Sequence, residues 1–215
     1  MTRSKLVPAL CLLAAAVTAA EPEAPLSART PLIDAAARAE TDGYARLDEI
    51  VERSAALPDV FDPALYSSAA ETSGIRNRLL AHMLWLQGRE ASHLLQVESL
   101  PRRLDKVPTS EPYRSEFVAL YAESTPERYT RVKSIYRAEI STAERLLAFV
   151  DQVAAGQIRP TPTGFTFRDE SAATKYRDTI ALLNQSYREQ DFRISEYHAW
   201  EIRQKAALRE FRNQL

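Results

Sequence analysis

Apolar residues recur along this chain at three- and four-residue steps inside long proline-free windows, a rhythm that places them on one face of an α-helix. Prolines delimit the windows, because proline removes a backbone donor and clashes with the preceding helical turn. Four windows result, 31–58, 63–101, 126–160 and 162–215, each rich in Ala, Leu, Arg and Glu and long enough for several turns.

The first predicted helix, about 31–57, carries Leu32, Ile33, Ala36, Ala37, Tyr44, Leu47, Ile50 and Val51 on its stripe, with Thr30 as N-cap and Pro31 in the first turn. Gly43 weakens its middle by up to about 1 kcal/mol relative to alanine. The second runs from Pro63 or Thr72 to Leu104 through Ile75, Leu79, Met83, Leu86, Leu94, Val97 and Leu100, with Pro101 expected to bend or end it. A short piece over 111–121 follows.

The third predicted helix opens on Ser124-Thr125-Pro126-Glu127, which combines a capping hydroxyl, a first-turn proline and an early acid. Its stripe runs from Val132 through Tyr136, Ile140, Ala143, Leu147 and Val150 to Ala154, and Gly156 supplies a C-terminal cap. Next, residues 157–168 alternate Phe165 and Phe167 with Thr166, the one place whose pattern admits a short extended piece, although a loop anchored on the helices by both rings is expected. The last predicted helix begins near Asp169-Glu170-Ser171 and continues for more than forty residues. Its lattice holds Tyr176, Ile180, Leu183, Tyr187, Ile194 and Tyr197, but Gln190, Glu201 and Gln204 interrupt it. Around Trp200 and Ile202 the stripe therefore rotates.

Long helical windows and few strand signals predict an all-α fold, an elongated helical bundle built on a long antiparallel coiled-coil-like hairpin. Residues 31–215 are expected to form one helical domain, preceded by a flexible tether over 21–30. Residues 1–20 have the pattern of a cleaved signal peptide: Arg3 and Lys5, an apolar run from Leu6 to Val17, and small residues before Glu21. That apolar run is too short to span a bilayer. Cys11 lies within it, and Pro8 and Leu10 do not fit the lipid-attachment pattern, so a soluble periplasmic protein is expected rather than a lipoprotein. An arginine- and alanine-rich composition is in keeping with a bacterial source.

Loss of that leader removes two basic residues from the 28 Lys+Arg set against 29 Asp+Glu, leaving a formal charge of −3. Such a balance argues against nucleic-acid binding, which needs concentrated positive charge. It also removes the single cysteine, and with it disulfides and thiol chemistry. The chain has no phosphate-cradling glycine loop, nucleophile elbow or haem-attachment motif, and no cofactor is expected. Asn184-Gln185-Ser186 matches the glycosylation pattern but falls within a predicted helix, where it is expected to be incidental.

Glu90-Ala91-Ser92-His93 is the sharpest chemical motif, since Glu-x-x-His on a helix aligns a carboxylate and an imidazole on one face, as in di-iron bundles. Glu196 and the reversed pair His198 and Glu201 on the last helix, with Glu139 on the third, are the other candidates to complete such a site. His82, beside Met83 and Trp85, suits a boundary position. Tyr129, Tyr136, Tyr176 and Tyr187 suit a helix seam, whereas Phe192 and Trp200 leave the lattice and, with Tyr197, form the expected partner-binding residues. Arg203, Lys205, Arg209 and Arg212 complement a helix C-terminus and offer a contact with anionic lipid.

Taken together, these features predict an exported, non-enzymatic helical protein acting through protein contacts in the cell envelope, as scaffold, inhibitor or immunity partner, or chaperone. Two alternatives follow from particular residues: a metal-dependent bundle enzyme or metal carrier using Glu90 and His93, and a peripheral membrane-surface protein using the basic run.

Overall fold

The computed structural model describes residues 30–109 and 113–213; the expected leader and nearly all of the tether lie outside the described residues. Four helices, α1 Thr30–Ala55, α2 Ala69–Leu104, α3 Tyr113–Ala154 and α4 Glu170–Asn213, build an all-α bundle. A 3₁₀ turn, Pro63–Tyr66, precedes α2, and a two-stranded hairpin, β1 Ile158–Thr161 and β2 Gly164–Phe167, joins α3 to α4.

Cross-helix pairs give the arrangement. Leu32 and Ala36 of α1 pack with Leu100 and Leu104 of α2, while Glu49 meets Arg89. Arg76 of α2 pairs with Asp151 of α3, and Arg145 of α3 reaches the Leu182 carbonyl and Ser186 of α4. Contacts move back along α2 as α1 advances, and the α2/α3 and α3/α4 pairs match an early residue with a late one, so consecutive helices run antiparallel. Tyr44 stacks on His198, which brings α4 back to α1 and completes an up-down-up-down ring. The most extensive contact is the α2/α3 hairpin.

Three core layers lie along the axis. One end holds Leu32, Leu100, Leu104, Tyr113, Phe117 and Tyr121. The middle gathers Leu47, Ile50, Leu86, Val97, Val132, Tyr136, Tyr197 and Trp200 from all four helices. At the far end Phe149 meets Phe61 at 4.8 Å and Phe165 at 5.4 Å, and Phe167 meets Tyr176 at 5.0 Å. The segment expected to be a loop is instead a two-stranded hairpin, and its rings anchor it to the helices as expected.

Local signals set most of the ends. Asp169 caps α4, its carboxylate accepting the Ala172 N–H at 2.9 Å, and Ser68 caps α2 by accepting from Glu71 N–H. Gly156 takes a φ of 68° after α3, and the Gln157 N–H reaches back to the Gln152 carbonyl.

One boundary differs from the sequence expectation. Ser124-Thr125-Pro126 does not start a helix; α3 runs through it from Tyr113. Both hydroxyls instead donate backwards to the Tyr121 carbonyl, at 3.2 Å from Ser124 and 2.7 Å from Thr125. Phe117 and Tyr121 before the proline and Arg128 and Val132 after it are all buried. Burial of that continuous face outweighs the roughly 3 kcal/mol that proline costs inside a helix. At the other hairpin helix, α2 ends at Leu104 as expected and passes through Pro101 to reach it; Leu104 is buried in the first layer.

Candidate functional site

Where the middle layer meets the end layer of α1, the helices turn polar groups inward. Tyr197 donates to Glu201 Oε1 at 2.7 Å across one turn of α4, and Tyr121 of α3 donates to Glu40 Oε1 of α1 at 2.8 Å. Arg128 Nη2 stands 3.8 Å from Glu40 Oε1, and Lys205 Nζ stands 4.0 Å from a carboxylate oxygen of both Glu40 and Glu201. The Arg128 guanidinium lies over Tyr121 at 5.4 Å and over Trp200 at 5.3 Å. Burial, then the neighbouring Glu40, pushes the Glu201 carboxyl up to about 8, against the opposing pull of Lys205.

A small cavity of about 30 Å³ opens between these groups, lined by Gly43, His93, Arg128, Tyr197 and Glu201. That volume holds one or two waters. Gly43 has a specific place here, since a Cβ on it would stand 3.6 Å from His93 Nε2. His93 is driven down to about 4 by burial and by the Arg46 and Arg128 charges, and is therefore a neutral imidazole at neutral pH.

A second polar layer joins Ser54 of α1, His82 of α2 and Glu139 of α3. Ser54 Oγ donates to Glu139 Oε2 at 3.0 Å and lies 3.4 Å from His82 Nε2. Trp85 stacks on His82 at 5.7 Å, with Arg53 over its outer face at 4.4 Å. Burial raises the Glu139 carboxyl to about 7, opposed by the Ser54 hydrogen bond. Serine occupies the centre of this trio, whereas a hydrolytic triad needs histidine between nucleophile and acid. Ser54 donates to Glu139 and not to His82, so the three groups do not follow the order of that triad.

No family model, curated protein or solved structure matches this chain.

The structure does not bring the Glu90 and His93 side chains to a common centre. Glu90 accepts from Arg137 Nε at 3.1 Å, whereas His93 Nδ1 lies 3.4 Å from the Tyr136 hydroxyl. Glu139 belongs to the Ser54 layer, and His198 stacks on Tyr44. Among the described residues, no group of three or more His, Cys, Asp or Glu side chains gathers in metal-binding geometry. The helical spacing of Glu90 and His93 is as expected, but Arg137 and Tyr136 of α3 draw the two groups apart.

Of the expected partner-binding residues, only Phe192 is on the surface, at 56 % exposed. Trp200 and Tyr197 are core residues, 2 % and 3 % exposed. The lattice does rotate near residue 200, but the rotation carries Trp200 inward beneath Arg128 and turns Ile202, at 69 % exposed, outward. Phe192, Ser195, Ala199, Ile202 and Ala206 are all exposed and follow one three-four stripe opposite the buried face of α4. Within the basic run, Lys205 points inward over the Tyr44 ring at 4.8 Å, and the Arg209 and Arg212 side chains lie outside the described residues.

The buried polar ring around Glu40, Arg128 and Glu201 is absent from the expectations. Its one visible trace in the sequence is Glu201 at a lattice position that periodicity assigns to an apolar side chain. Glu40, Tyr121 and Arg128 look like ordinary amphipathic-helix residues until three helices are placed side by side.

Proposed function

We propose that this protein is exported to the cell envelope and acts there through protein contacts made by the outward face of α4. The observation that carries the reading is the Phe192–Ile202 stripe, where two large apolar side chains stay more than half exposed on a helix whose opposite face is committed to the core. The polar clusters support a non-catalytic role. Tyr197 pairs with Glu201 and Tyr121 with Glu40 around a cavity that holds only water, while Tyr121 and Arg128 also line a second pocket of about 350 Å³. The residue 1–20 pattern supplies the compartment.

A photo-crosslinking residue at Phe192 or Ile202, expressed in the full chain in cells, tests both parts. The expected result is a processed protein beginning at Glu21 in the periplasmic fraction, with one recurrent protein captured from both positions and not from the exposed control Glu144. An unprocessed cytoplasmic protein overturns the export reading. Capture no better than at Glu144 overturns the α4 surface.

A further inference from the structure

Of the polar residues that interrupt the apolar lattice of α4, two line hollows in the bundle. Glu201 lines the water-sized cavity, and Gln204 lines a larger pocket of about 350 Å³ between α3 and α4. From α3 this pocket takes Leu120, Tyr121, Glu123 and Ser124 ahead of Pro126, and Glu127 and Arg128 after it. Its volume lies at the lower end of small-ligand sites, which run from about 300 to about 1,000 Å³. Arg128 lines both hollows.

Arg128 is the group that calls for a ligand. It is only 7 % exposed, yet its Nε has no hydrogen-bond partner, and its Nη2 stands 3.8 Å from Glu40 Oε1, beyond hydrogen-bonding distance. Tyr121 donates to that Glu40 oxygen instead, at 2.8 Å. A buried guanidinium is stabilised by acceptors for its N–H groups, and its planar fork matches the two oxygens of a carboxylate. The acids on the pocket wall are not equivalent. Glu127 is neutralised by Arg131, accepting from Nε at 3.0 Å and from Nη2 at 2.7 Å, whereas Glu123, exposed, makes no ion pair among the described residues. The wall thus sets a cation with unfilled donors against one uncompensated carboxylate.

We propose that this pocket binds a free amino acid as its zwitterion, with the carboxylate on the Arg128 fork and the ammonium at Glu123. A simple anion would be repelled by Glu123 and a simple cation by Arg128, whereas a ligand carrying both charges complements each. The Ser124 hydroxyl already donates to the Tyr121 carbonyl at 3.2 Å, which leaves its oxygen as an acceptor for the ammonium, and the Gln204 amide offers both a donor and an acceptor. Leu120 and the Tyr121 ring supply apolar wall for the ligand's carbon atoms. Neither Phe192 nor Ile202 lines the pocket, so the inference goes beyond the proposed function.

Saturation-transfer NMR on the full chain as purified from cells, with an equimolar mixture of the protein amino acids and γ-aminobutyrate at about 1 mM each, finds the ligand. Calorimetry then compares that amino acid with its amide, which lacks the carboxylate, and with its deaminated acid, which lacks the ammonium. Both analogues are expected to bind at least about tenfold more weakly. Glu123→Gln, at an exposed site, is expected to weaken the amino acid at least about tenfold and to leave the deaminated acid unchanged, a split that a structural disturbance does not produce. Arg128→Lys keeps the charge but loses the fork, and is expected to weaken both ligands. Circular dichroism checks that the variants fold; should Arg128→Lys fail to fold, Glu123→Gln decides alone. Absence of transfer to any member of the mixture, a deaminated acid or an amide bound as tightly as the amino acid, or an affinity indifferent to Glu123→Gln overturns the proposal.

Discussion

Glu139 provides the sharpest energetic test of the buried polar layers, because its partners are few and its burial is nearly complete at 2 % exposure. Its carboxyl rises from an ordinary 4.5 to about 7 in the folded chain. A raised acid binds more protons in the native state than in the unfolded one, so its contribution is undiminished below about pH 4.5 and declines as pH rises toward 7. At 1.36 kcal/mol per unit the full decline is about 3.4 kcal/mol, of which about 2.5 kcal/mol falls between pH 5 and pH 8. Glu139→Gln keeps an acceptor for the Ser54 hydroxyl and removes the titration. Urea denaturation followed by far-ultraviolet circular dichroism at both pH values measures the difference. The stability lost by the parent between pH 5 and pH 8 should exceed that lost by the variant by about 2.5 kcal/mol. In thermal melts this corresponds to about 5–10 °C for a chain of this size. Parallel pH profiles for the two proteins would refute the assignment of a buried, proton-binding Glu139.

Four further substitutions separate elements of the fold. Trp200→Ala should cost about 3–5 kcal/mol, as expected for a fully buried ring, whereas Phe192→Ala should change stability by no more than about 0.5 kcal/mol; chemical denaturation of both distinguishes core from surface. Gly43→Ala should raise stability by about 0.5–1 kcal/mol, because the added Cβ meets His93 at ordinary contact distance while the helix gains propensity; a lowered melting temperature would contradict that spacing. Pro126→Ala should stabilise the chain by about 1–3 kcal/mol by restoring a helical donor inside α3, and unchanged stability would mean that the helix does not continue through this point.

Period and punctuation made the helices legible: the Asp169 cap, the Gly156 terminus and the buried stripe of α2 all follow from local chemistry. Pro126 was legible as a feature but not in its meaning. A hydroxyl pair before a proline reads as a cap on local grounds, and only the burial of residues on both sides shows that tertiary packing overrides it. Trp200 shows the same limit in another form. The lattice break announced a rotation of α4, but its direction depends on where Arg128 and Tyr121 of α3 stand, which no period in α4 encodes. Glu90 and His93 likewise share a helical face as their spacing requires, yet they reach different groups on α3. Spacing along one helix specifies which side chains are neighbours on it; it does not specify their partners across the bundle.

The two faces of α2 extend that point to the surface. Periodicity identifies one apolar stripe by asking which positions repeat, but on α2 two stripes repeat with the same step on opposite sides. The buried one contains large residues, Ile75, Leu79, Leu86 and Leu100, and dominates the pattern. The outward one alternates leucine with alanine and glycine, whose small side chains add little apolar weight and resemble ordinary helix filler. Only after the first stripe is seen to be fully occupied does the second need an explanation of its own. Alanine alone needs none on a solvent face, being the strongest helix former. Glycine does, since it weakens the helix at Gly74 and Gly88 without serving any contact within the monomer. Both glycines of α2 fall on this one stripe, which is uncharged from Ala70 to Leu95.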